Sequence, residues 1–115
     1  MKSKSYKLAK LEKNRYSIVT DNLDECYICH SPKHHLHEVF GGNNRVNSMR
    51  YGCVIPLCFH CHALLHKHRE MDLELKKELE KAFLDVYKCD INYFRSIFHI
   101  NYLWCYNIFE GGNYG

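Results

Sequence analysis

Two C-x2-C pairs, "CYIC" at Cys26 and Cys29 and "CFHC" at Cys58 and Cys61, constrain this chain more than any other feature. Such a pair presents two thiolates from one tight turn, and two pairs far apart in sequence close a single tetrahedral site. The 28 residues between Cys29 and Cys58 are then fastened at both ends. With 115 residues the chain has room for one modest core, a size at which a metal staple matters for folding. The matched spacing fits structural Zn2+ on Cys26, Cys29, Cys58 and Cys61 better than a disulfide framework. Cys53, Cys89 and Cys105 follow no pairing pattern and read as ordinary thiols.

Thiolate ligation of zinc suits a reducing compartment. The opening residues, "MKSKSYKLAKLEKNR", hold no apolar run long enough for a signal peptide, and no segment is long and apolar enough to span a bilayer. The expected location is cytoplasmic, with no membrane partner. The formal net charge is +3, and it is unevenly spread, since residues 1–15 carry six Lys or Arg against one acid. Four thiolates on one Zn2+ lower the balance further, so attraction to a polyanion must come from local basic patches.

Periodicity divides the chain. Residues 1–14 read as a flexible basic leader, and "RYSIVT" (15–20) as a short strand. "LHEVF" (36–40) and "CVIPL" (53–57) read as strands that the staple brings together as an antiparallel hairpin, separated by the loop "GGNNRVNSMRYG" (41–52). From Cys61 onward the pattern is helical. Met71, Leu75, Leu79, Ala82, Phe83 and Val86 form an apolar stripe that predicts a helix over about 72–87. Asp90 caps a shorter one through about Phe98, with Ile91, Phe94, Ile97 and Phe98 on its apolar face. The tail, 104–115, has no clear pattern. The fold class expected is α+β, in one domain over about 15–103 with C-terminal helices over about 72–98.

The histidines suggest chemistry. His62 and His66 stand at i and i+4, on one helix face about a turn apart. His37 lies on the strand that the staple holds nearby. Three imidazoles from a hairpin and a helix can converge on a second ion and leave positions open for water and substrate. Beside His37 stands Glu38, just ahead of Gly41 and Gly42. Adjacent strand residues point to opposite faces unless the strand is distorted, so joint action of the pair implies a bent strand end. The glycines permit tight turns and close approach of a phosphate. Arg45, Arg50, Lys33 and the basic leader are candidate phosphate contacts.

The stretches "HEVFGGNNR", "SMRYG", "PLC" and "CH", followed by "DLELKKELEKAF", resemble the small prophage-type HNH endonucleases over roughly Leu11 to Leu103. That resemblance implies a ββα-metal (HNH, treble-clef-like) core, here over about 24–68: a hairpin, a loop and a helix around one divalent cation. It implies catalytic roles for His37, Glu38 and His62, with His37, His62 and His66 as ligands of that cation. The chain departs from the family twice. Glu38 replaces the usual general-base histidine, as base or as a further ligand, and Cys53 stands where an asparagine braces the loop. The implied activity is metal-dependent hydrolysis of phosphodiester bonds in double- or single-stranded DNA. Its catalytic ion would be Zn2+, Mn2+, Ni2+ or Mg2+. The alternative from another class is a noncatalytic zinc module that only binds nucleic acid.

Overall fold

The computed structural model describes residues 6–103; residues 1–5 of the leader and the 104–115 tail, with Cys105, lie outside them. Within the described residues the chain is α+β, with two antiparallel strands and five helices. Strands β1 (His35–Glu38) and β2 (Val54–Leu57) form the expected hairpin, in the register His35↔Leu57, His37↔Ile55 and Glu38↔Val54. Val54, Ile55 and Leu57 are fully buried, which is why β2 reads as a continuous apolar run rather than an alternation.

Two local expectations are overturned. Within the basic leader Tyr6–Lys13 form α1, a helix the sequence reading did not include. "RYSIVT" is not a strand: the Ile18 N–H reaches the Gly52 carbonyl, and the Ser17 hydroxyl takes the Val19 N–H in a local turn that breaks extension. The 41–52 segment is not a simple loop, for a 3-10 turn at Gly42–Asn44 leads into α2 (Arg45–Arg50). Side chains supply what apolar periodicity does not. Ser48 Oγ accepts the Phe40 N–H and donates to the Phe40 carbonyl, while the Asn44 and Asn47 amides donate to the Phe98 and Ile97 carbonyls.

Downstream, α3 spans Phe59–Lys67, α4 Arg69–Val86 and α5 Ile91–Phe98. Helix α4 begins three residues before the expected Asp72, with Glu70 and Asp72 in its first turn where the helix dipole favours acids. Its stripe buries Leu75, Leu79 and Phe83 but leaves Val86 exposed, because the core has ended by that turn. Asp90 caps α5 as expected, its Oδ1 accepting the Tyr93 N–H. Phe94 and Phe98 bury beneath it and meet Phe83 and Phe40 edge-on or tilted. Cys53 is fully buried, and burial pushes its thiol up to about 12. Glu80 is also fully buried; its Oε1 accepts the Tyr102 and Leu103 N–H groups and holds the chain after α5 against α4.

Gly52 adopts a φ of +74°, and a Cβ there would lie 2.5 Å from the Tyr16 ring. Among the described residues no helix is long and apolar enough to cross a membrane. Phe83 touches Tyr51, Tyr87, Phe94 and Phe98. Phe83→Ala is therefore expected to lower stability by about 3–5 kcal/mol in urea denaturation. A loss below about 1 kcal/mol would mean that the aromatic cluster does not anchor α4 and α5 to the hairpin.

Candidate metal centre and adjoining cleft

The four cysteines meet. Cys26, Cys29, Cys58 and Cys61 bring their Sγ atoms within 4.8 Å of one another, a cluster that could hold a metal ion such as zinc. The Cys29 and Cys58 sulfurs are 3.7 Å apart, close to the edge of about 3.8 Å for a tetrahedron with metal–sulfur bonds of about 2.3 Å. Each pair is shaped by its own turn. The Cys26 N–H bonds the Ser31 carbonyl and the His30 N–H returns to the Cys26 carbonyl, with His30 in a left-handed conformation. Cys58 caps α3 and accepts the Cys61 N–H on its sulfur. Backbone donation from Cys61 holds the Cys58 thiol below its ordinary pKa, which favours the thiolate a metal needs. The Tyr27 N–H bonds the Pro56 carbonyl, fastening the first turn to β2.

Beside this cluster the imidazoles gather. His37 on β1 lies with its ring centroid 5.3 Å from that of His62 on α3. His62 and His66 bring their Nε2 atoms to 3.2 Å. His37 Nε2 is buried and has no hydrogen-bond partner among the described residues. Burial, with His62 next to it, lowers the His37 pKa to about 4, and burial with His35 and His66 nearby lowers that of His62. Both rings are therefore neutral near pH 7, the form that ligates metals. Among the described residues only the cysteines bring three or more ligand atoms within 4.8 Å of one another; the imidazoles meet in pairs.

Glu38 goes elsewhere. The strand end is regular, so neighbouring side chains diverge, and the distorted end expected from the sequence is not present. Glu38 Oε2 accepts from Arg15 Nε at 2.8 Å and lies 2.7 Å from Arg15 Nη2. Its Oε1 accepts from Arg45 Nε at 3.2 Å. Arg45 also pairs with Glu12 of α1 at 2.7 Å, so α1 is attached to the hairpin through an acid–base chain. Thus Arg45, expected on phosphate, is engaged internally. Arg50 is exposed and lines a groove of about 340 Å3 with Lys7, Lys10 and Tyr16. Lys33 has no ion-pair partner among the described residues and lies in the loop between Cys29 and β1.

A cleft of about 410 Å3 opens beside the imidazoles, lined by His37, Glu38, Gly41, His66, Arg69, Asp72 and Lys76 among others. Gly42, which follows the lining residue Gly41, has a φ of +59°. Sequence reasoning missed Arg15 and Glu12, whose partners lie 23 and 33 residues away and leave no local signal. It also missed His35, whose ring lies 4.3 Å from that of His62. The two-residue spacing from His37 was the available signal, since alternation puts both on one strand face.

No family model matches the chain, and comparison with curated proteins and with solved structures gave no significant match.

The purified protein is expected to carry about one equivalent of Zn2+ on the cysteines, and stripping it with a strong chelator should reduce the helical circular dichroism signal. An unchanged spectrum in the stripped protein would show that the ion does not support the fold. His37 should remain neutral down to about pH 4 when ring resonances are followed by NMR. Between pH 6.5 and 4 the unfolded chain binds a proton there that the folded chain does not, so acid favours unfolding across that window. A midpoint near 6.5 would rule out the burial that lowers it.

Proposed function

We propose that this chain is a metal-dependent endonuclease of the HNH type that hydrolyses phosphodiester bonds in DNA. In this reading β1, β2 and α3 form a ββα-metal core, and the four cysteines hold a structural Zn2+. One observation carries it: an imidazole from the hairpin, with a buried and unpartnered Nε2, faces two imidazoles of the following helix beside a thiolate cluster. The order of hairpin, intervening segment and helix is that of the fold the sequence resembles, and an open cleft adjoins the rings.

The donors fit a divalent ion. His37, His62 and His66 would hold it, and when bound it supplies charge stabilisation at the scissile phosphate and at the departing 3′ oxygen. The chain's own residues do the rest. Arg50 with Lys7 and Lys10 on one side, and Arg69 and Lys76 along the cleft, offer cations to successive phosphates. Glu38 is the proposed proton acceptor. In the resting protein its oxygens bear the Arg15 and Arg45 guanidiniums, for which phosphate is a natural bidentate competitor. As phosphate draws a guanidinium away, the freed carboxylate takes a proton from the attacking water. The new P–O bond forms, the bond to the 3′ oxygen breaks, and that oxygen is protonated from solvent.

A second reading, a noncatalytic zinc module that binds nucleic acid, is favoured by the same ion pairs. A carboxylate held on both oxygens by arginines is suited to fastening α1, with no proton to move. Supercoiled plasmid incubated with each of several divalent ions separates the two. The nuclease should nick, His37→Ala and His62→Ala should abolish nicking, and Glu38→Ala should slow it by about 10²–10⁴-fold. DNA binding without cleavage under every ion would establish the binding module, and parent-rate cutting by Glu38→Ala would remove that residue from the chemistry.

A further inference from the structure

Three imidazoles, those of His35, His37 and His66, surround His62, so the group has four members and not the three named above. His35 and His37 lie on one face of β1, and the Nε2 atoms of both are buried without a partner among the described residues. Ring centroids lie 4.3 Å from His62 at His35, 5.3 Å at His37 and 4.6 Å at His66. Two imidazoles on one tetrahedral ion, with metal–nitrogen bonds of about 2.0–2.1 Å, place their centroids about 5 Å and their nitrogens about 3.3 Å apart. The observed separations lie within about 1 Å of the first figure, and the His62–His66 nitrogens at 3.2 Å match the second.

The carboxylates of the cleft are meanwhile occupied. Glu38 bears two arginines, and Asp72 pairs with Lys76 at 2.8 Å. The donors left without a cation are nitrogens. Hard cations such as Mg2+ and Ca2+ need oxygen ligands, whereas imidazole suits Zn2+, Ni2+ and Cu2+.

We infer that the second metal site is built from imidazole alone, with His35 as its fourth donor, and that it takes a transition ion and rejects Mg2+ and Ca2+. This rests on the metal centre proposed above and adds a ligand and a metal class to it. No three of these nitrogens lie within 4.8 Å of one another in the structure, so a shared ion requires the His35 and His37 rings to turn about χ1 and χ2.

The test uses the full chain with zinc on its cysteines, titrated with Ni2+ by calorimetry in the presence and absence of a large excess of Mg2+. One Ni2+ should bind beyond the zinc, at an affinity that Mg2+ leaves unchanged, and X-ray absorption at the nickel edge should count four imidazoles. His35→Ala and His35→Gln should each weaken Ni2+ by about tenfold or more, with zinc content and circular dichroism retained. Parent affinity in both variants, displacement of Ni2+ by Mg2+, or a count of three imidazoles would overturn the inference. Should either variant fail to fold, the imidazole count in the parent protein decides. A four-imidazole nickel site in a protein that never nicks plasmid would reject the nuclease and keep this site; nicking with a three-imidazole site would do the reverse.

Discussion

The gathering of four thiols sets the rest of this structure. Cys26 and Cys29 come from a turn whose Tyr27 N–H is bonded to β2, and Cys58 directly follows β2 and caps α3. Meeting of the pairs therefore fixes the hairpin and the direction in which α3 leaves it. His62 follows the last cysteine directly and His66 follows one turn later, so a sulfur cluster at the helix start dictates where two imidazoles project. The strand opposite them can then offer only alternate residues to that face, and these are His35 and His37.

The same alternation separates two chemistries. The face toward α3 carries imidazoles, which burial keeps neutral at His37 and His62. Glu38, the next residue of β1, forms with Glu12, Arg15 and Arg45 a chain of ion pairs reaching to α1. These pairs are partly buried, and removing one member leaves its partner as an uncompensated charge in a place poor in water. The network thus keeps α1 in position, although that helix buries none of its own residues fully. An arriving polyanion meets guanidiniums already balanced by carboxylates, so any phosphate that binds there must exchange with an internal partner.

How much of this was legible followed from range. The cysteine pairs, the hairpin and the α5 cap were readable because each is written in a few adjacent residues or in a period that physics fixes. Val86 matched the stripe yet lies exposed, since periodicity cannot say where a core ends. Helix α2 was hidden because Ser48, Asn44 and Asn47 hold it through side-chain bonds to distant carbonyls rather than through an apolar face. For Glu38 the local pattern indicated a partnership with His37, whereas its oxygens meet arginines supplied by other segments. His35 was within reach of the sequence, because a residue two positions from a candidate ligand on a strand shares its face. It was passed over as part of the polar run before β1.

The energetics of the imidazole cluster argue for a ligand. A buried polar atom without a partner destabilises a fold by about 1–3 kcal/mol, and two such nitrogens sit side by side on β1. A domain of this size has about 5–15 kcal/mol of stability in all, so apolar residues at both positions would be the more stable choice. In the proposed four-imidazole site an incoming ion would reverse that penalty, since each nitrogen would be satisfied on ligating it. The His37 and His62 rings, which burial keeps neutral, need lose no proton to ligate an ion near neutral pH.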